Sequence, residues 1–181
     1  MIIKPSSKAD LDALLHIEEQ AFGEEEGGEI VELVTALLND PSAKPVLSLL
    51  AFREEKAVGH VLFTKAHLLG SDVSFSVSIL APLAVIPEFQ SRGVGSQLVR
   101  EGLRLLSESG VALVFVLGHP KYYPRFGFRP AGALGFEAPY PIPEEVAEAW
   151  MVQELHPGLI GRVSGKVVCA QALDRSEYWR E

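Results

Sequence analysis

The chain has 181 residues, 48% of them apolar, and a formal net charge of −8. That length fits one domain over residues 1–181 with a core of its own; the acidic balance argues against nucleic acid, which is bound by clustered Lys and Arg; and without a run of about eighteen apolar residues no membrane span is expected. Cys169 is the single cysteine, which excludes an internal disulfide and a cysteine metal cluster, and the short apolar start Met1-Ile2-Ile3 does not read as a secretory leader, so the expectation is a cytoplasmic protein.

Residues 1–4 read as a short strand stopped by Pro5. Ser6 or Ser7 can cap a helix in which Leu11, Leu14, Leu15 and Ile17 recur at helical spacing. The segment Gly23-Glu24-Glu25-Glu26-Gly27-Gly28 is expected to break it. A second helix carries Ile30, Val31, Val34, Leu37 and Leu38 and stops at Asn39-Asp40-Pro41. Residues 46–53 and 57–69 read as the arms of a hairpin turned at Glu54-Glu55-Lys56. Residues 73–86 form a long strand whose start alternates apolar residues with Ser74, Ser76 and Ser78, so its serine face should border a polar cleft or solvent.

A helix beginning at Gly93 carries Val94, Leu98, Val99, Leu103, Leu105 and Leu106 and ends near Gly110. Residues 111–117 are almost continuously apolar, as in a strand buried on both faces. Residues 120–126 read as a short helix, and 131–143 as an irregular loop rich in Gly and Pro. Residues 149–155 and 163–172 are the last two strands, joined through Pro157-Gly158. The sum is a mixed α/β domain.

The most informative unit is the loop Gln90-Ser91-Arg92-Gly93-Val94-Gly95-Ser96 between a strand and a helix. A helix start has unpaired N–H groups and a partial positive charge, which together make an anion site. Gly93 and Gly95 let a phosphate approach the backbone, Arg92 adds charge, and Ser96 adds a donor. The loop lacks G-x-x-x-x-G-K-[ST], which argues against a nucleoside triphosphatase, and it lacks the third glycine and ribose-binding acid of a dinucleotide fold. Five scattered histidines show no metal-ligand spacing.

Gln90-Ser91-Arg92-Gly93-Val94-Gly95 resembles the Q/R-x-x-G-x-G/A motif of the GCN5-related N-acetyltransferases (the GNAT family). Leu83-Ala84-Val85-Ile86-Pro87 resembles the strand before it, and Tyr122-Tyr123-Pro124-Arg125-Phe126-Gly127-Phe128 the later Y-x-x-x-G-F segment. Three matches in family order cover most of the chain. Residues 82–85, Lys121-Tyr122-Tyr123 and Glu154-Leu155-His156-Pro157-Gly158 further resemble a bacterial YhbS-like subgroup.

The resemblance implies a mixed, mostly antiparallel central sheet with two splayed parallel strands, at 73–86 and 111–117, and flanking helices. It implies acetyl-CoA as co-substrate, with its pyrophosphate on Gln90, Ser91, Arg92, Gly93, Val94, Gly95 and Ser96. Its pantetheine arm would lie against the backbone of Leu83, Ala84 and Val85. Pro82, which lacks an N–H, marks the splay or a bulge. Tyr123, four residues before Gly127, matches the tyrosine that protonates the departing thiolate, whereas Tyr122 is assigned to packing or the substrate wall. The family's frequent strand Glu is absent, and Gly118-His119-Pro120 replaces its Asn. Candidate bases are Glu24, Glu25, Glu26, His119, His60 and His67, each more commonly a solvated surface residue. Trp150 and Trp179 read as packing groups and Cys169 as a buried apolar one.

The expected activity is acetyl transfer to an amine of a small molecule or peptide, with no metal; family habit points to a homodimer. The competing functions are transfer of a longer acyl group or to a hydroxyl, and a non-catalytic acyl-CoA sensor.

Overall fold

The computed structural model describes residues 1–71 and 74–180. Its strands are β1 (Ile2–Pro5), β2 (Leu47–Arg53), β3 (Lys56–Leu69), β4 (Ser76–Val85), β5 (Val111–Leu117), β6 (Arg129–Pro130), β7 (Phe136–Glu137), β8 (Trp150–Glu154) and β9 (Gly165–Val168). The helices are α1 (Leu11–Leu38) and α2 (Val94–Glu108). The main sheet runs β1-β2-β3-β4-β5-β8-β6, antiparallel throughout except for the parallel pair β4–β5. Position 73, the expected start of the fourth strand, lies outside the described residues.

The helices cover opposite faces of the sheet. Successive strand residues point to opposite sides. A Cβ on Gly59 would meet Val94 and Leu98 of α2, while the next residue, His60, bonds to Glu18 of α1. Among the described residues no helix is long and apolar enough to cross a membrane.

The expected loop at residues 23–28 is a correction: the break is confined to Gly23 (φ 77°, ψ −174°), and the exposed Glu24, Glu25 and Glu26 lie in the helix. Beyond the kink, a Cβ on Gly27 would stand 2.9 Å from the Glu19 carbonyl oxygen, so glycine lets the two halves of α1 touch. Leu14 and Ile17 from one half and Leu33, Val34 and Leu37 from the other enter the core.

β4 and β5 pair only over Ser76–Ile79 and Val111–Phe115 and part beyond. At that point β4 bulges: Val61 faces Leu83 and Phe63 faces Leu80, so Ala81 and Pro82 both oppose Leu62. Pro82 therefore sits where its missing N–H costs the ladder little.

The end of the chain departs from the sequence reading. The last strand is only Gly165–Val168, shorter than the expected 163–172, and it pairs with the far end of β3 and with β7. The stretch 131–143 is pinned by buried Phe136, which packs edge-on to Phe115 at 5.3 Å. Phe115 also stacks on Trp150 at 5.1 Å, and Trp150 meets Trp179 at 5.6 Å. Both indole N–H groups donate to backbone carbonyls, of Phe136 and Leu173, so both tryptophans are packing groups.

Candidate active site

The gap between β4 and β5 exposes one edge of β4. In an antiparallel ladder alternate residues turn their N–H and C=O toward the partner strand. The Ile86 N–H donates to the Val58 carbonyl, so Ile86 and Ala84 face β3, while Leu83 and Val85 turn their backbone groups into the gap. The Gln90 side-chain amide donates to the Val85 carbonyl at 3.0 Å from that side. Of the three residues expected along this edge, Leu83 and Val85 offer backbone groups; Ala84 does not, and its side chain is buried.

The loop after β4 turns through two left-handed residues, Ser91 (φ 60°) and Gly93 (φ 84°), and delivers the chain into α2. The Gln97 N–H is the first to bond back, to the Gly93 carbonyl at 3.1 Å. The N–H groups of Val94, Gly95 and Ser96 are thus left for an anion at the helix start. Gly93 and Gly95 serve different ends. No atom lies within 4 Å of a Cβ built on Gly93, so its requirement is conformational; a Cβ on Gly95 would stand 2.8 Å from the Tyr122 hydroxyl.

These elements enclose a cavity of about 760 Å³. One wall is Leu83 and Val85. The floor is Gln90, Ser91 and residues 93–96, and the far wall is His119, Tyr122, Tyr123 and Arg125. Arg92 is exposed and lays its guanidinium over the Phe89 ring, 5.5 Å from the centroid. The arginine on the cavity wall is Arg125, which was not singled out in the sequence. It donates to the Tyr122 carbonyl at 2.8 Å and covers the Tyr122 ring at 4.5 Å. Its place two residues after Tyr123, in the same motif, was the available signal.

Tyr123 opens a 3-10 turn, Tyr123–Phe126, closed by Gly127 at φ 96°. The left-handed glycine explains the spacing of the motif: it ends the turn and releases the chain toward Phe128. The Tyr123 ring packs edge-on to Tyr122 at 5.1 Å and Phe128 at 5.6 Å. A Cβ on Gly118 would strike that ring, so the glycine after β5 makes room for it. Tyr123 is buried yet reaches the cavity, and Tyr122 forms its wall.

Among the candidate bases, His119 is on the cavity wall, while Glu24, Glu25, Glu26 and His67 are exposed and not part of its lining. His60 corrects the expectation of a solvated histidine, for it is fully buried against Glu18. Ser74, Ser76 and Ser78 do border a cavity, of about 570 Å³, but it lies beside the C-terminal end of α2, with Ser109 and Lys65 on its rim. Burial pushes the Cys169 thiol up to about 12, which keeps it protonated and inert at neutral pH.

A model of the GNAT acetyltransferase domain matches residues 2–131. A protein of Escherichia coli K12 named uncharacterized N-acetyltransferase YjhQ is 52% identical over 151 residues, 83% of this chain and 82% of its own. The crystal structure of the E. coli GNAT family N-acetyltransferase YhbS in complex with CoA superposes with a TM-score of 0.83 at 29% identity, over 96% of this chain and 92% of that one. A GNAT family acetyltransferase of Brucella melitensis in complex with acetyl-CoA gives 0.70 at 26% identity, over 96% and 97%.

Proposed function

The chain belongs to the GNAT acetyltransferase family, and from that premise we propose that residues 1–181 act as one domain that transfers the acetyl group of acetyl-CoA directly to an amine of a small molecule or peptide. The observation that carries this reading is the continuity of one cavity from the open edge of β4, past the free N–H groups of α2, to Tyr123. Acetyl-CoA supplies the activated thioester. The residues fit its chemistry: free amides at a helix start and a neighbouring arginine suit a pyrophosphate, and an unpaired strand edge suits an extended amide arm.

Tyr123 is assigned as the general acid. A phenol with a pKa of about 10 is a weaker acid than a thiol of about 8.5, so Tyr123 hydrogen-bonds the departing sulfur as charge develops on it and need not lose its proton for long. Leu83 and Val85 are the backbone groups assigned to align the arm, and Gln90, Ser91 and residues 93–96 those that hold the phosphates. Arg125 replaces Arg92 as the cation nearest them. For the proton of the amine we assign His119, because it is the one candidate base of the sequence that lines the cavity.

The test is calorimetric titration with acetyl-CoA followed by a thiol-release screen over amino acids, polyamines, aminoglycosides and peptide N-termini. Saturable binding with amine-dependent CoA release is expected. No binding at millimolar acetyl-CoA would refute the reading, and binding without turnover on every amine would make the chain an acyl-CoA sensor.

A further inference from the structure

The other face of the sheet holds a second set of reactive groups that the acetyl-CoA cavity does not use. Ser48 on β2 and His60 on β3 both point toward α1, with Ser48 one diagonal step from His60 in the ladder. The Ser48 hydroxyl lies 2.8 Å from His60 Nε2, and His60 Nδ1 lies 2.5 Å from Glu18 Oε1 on α1. With Glu18 ionised, its carboxylate accepts the Nδ1–H, leaving Nε2 free to accept the Ser48 O–H. The Ser6 hydroxyl donates to Ser48 Oγ at 2.7 Å.

His60 and Glu18 are fully buried and Ser48 is 8% exposed. A buried carboxylate and imidazole are a poor means of stabilising a core, since apolar side chains of similar volume do as well or better. Glu18 Oε2 is moreover buried with no hydrogen-bond partner among the described residues. The chain nevertheless leads somewhere: Ser48 and Ser6 line a cavity of about 480 Å³ whose other walls include Leu11, Leu14, Leu38 and Leu47.

We propose that Ser48 is a second nucleophile, with His60 as its base and Glu18 as the group that orients His60, and that this cavity takes small esters with short apolar acyl chains. Ser48 Oγ bonds to the carbonyl carbon as its proton passes to His60 Nε2. The bond to the leaving alcohol breaks as that proton moves to the leaving oxygen. Water then attacks the acyl-serine, giving up a proton through His60, and releases the carboxylic acid and Ser48. The Ser6 hydroxyl is the donor beside the reacting centre. The nucleophile, the base and the orienting acid come from three elements, β2, β3 and α1, which only the folded sheet brings together.

The full chain is incubated with a fluorophosphonate probe, mapped by peptide mass spectrometry, and assayed with p-nitrophenyl butyrate. One adduct is expected, on Ser48. Ester turnover should fall at least roughly a hundredfold in Ser48→Ala and in Glu18→Gln, while Tyr123→Phe, which alters only the other cavity, should leave it unchanged. Absence of an adduct on Ser48 in the wild-type protein would overturn the proposal even if a variant failed to fold, and so would turnover that persists in a folded Ser48→Ala protein. Neither result bears on acetyl-CoA, so the two sites stand or fall separately.

Discussion

Tyr123 and Arg125 sit two residues apart on the wall of one cavity, and the proposed function gives each a different part. The ring of Tyr123 is fixed by Tyr122, Phe128 and the space left by Gly118, so a phenylalanine ring keeps these ring contacts. Tyr123→Phe should therefore lower kcat at least roughly tenfold and leave the KM for acetyl-CoA nearly unchanged, the signature of a contact made only in the transition state. Steady-state kinetics with varied acetyl-CoA decides this; an unaltered kcat removes Tyr123 from the mechanism. The arginines make the complementary case. Arg125 lines the cavity, whereas Arg92 lies over the Phe89 ring and is not part of the lining. Titration calorimetry should show a several-fold weaker Kd, about 1 kcal/mol, for Arg125→Ala and almost none for Arg92→Ala. The reverse order would return the phosphate contact to Arg92.

At the level of elements, the start of α2 and the turn carrying Tyr122 are mutually fitted. Gly95→Val would drive a side chain into the Tyr122 hydroxyl and crowd the free amides, so acetyl-CoA affinity should fall at least roughly tenfold with the fold intact. Wild-type affinity in that variant would show that the phosphates bind elsewhere. A second element is held by one carboxylate. Glu154, at the end of β8, accepts the N–H groups of Ile160 at 2.7 Å and Leu159 at 2.9 Å, which closes the segment after Pro157-Gly158. The Ile160 N–H is the main reason its carboxyl titrates below the usual range, against a smaller opposing effect of burial. A depressed folded-state pKa adds stability above the unfolded value and loses it as pH falls through the folded value. Between about pH 5 and pH 3, wild-type protein should thus lose more stability than Glu154→Gln, as read by urea denaturation at each pH. Parallel losses would mean that the carboxylate contributes nothing to the closure.

Across the whole molecule, the sheet separates α2, whose start lines the candidate acetyl-CoA cavity, from α1, which carries one half of the buried Glu18–His60 pair. Burial pushes the Glu18 carboxyl above its ordinary range, while the bond to His60 opposes it. Glu18→Ala should cost about 3 kcal/mol in urea denaturation, because it leaves an imidazole buried without its partner; a cost near zero would show the pair to be energetically idle. The sequence alone marked α2, β5 and the anion loop between β4 and α2, because those depend on neighbours in the chain: the period of apolar residues in α2, the unbroken apolar run of β5, and glycines spaced for a helix start. Tyr123 was legible only through the resemblance of its segment to the family's Y-x-x-x-G-F pattern, and the structure supplies the reason for the glycine, which closes the turn at φ 96°. What only the tertiary structure decided depends on register and on contacts between distant segments. It turned the backbone groups of Leu83 and Val85, but not those of Ala84, into the gap through strand alternation, and it put Arg125 and not Arg92 on the cavity wall through the fold of a turn. It reduced the expected loop at residues 23–28 to a kink at one glycine, and it sent β9 to β3. It also joined Ser48, His60 and Glu18, which local sequence reads as a strand serine, a surface histidine and a helix acid. Hydrophobic period is written residue by residue, but which side chains meet across a sheet is fixed only once the strands have paired.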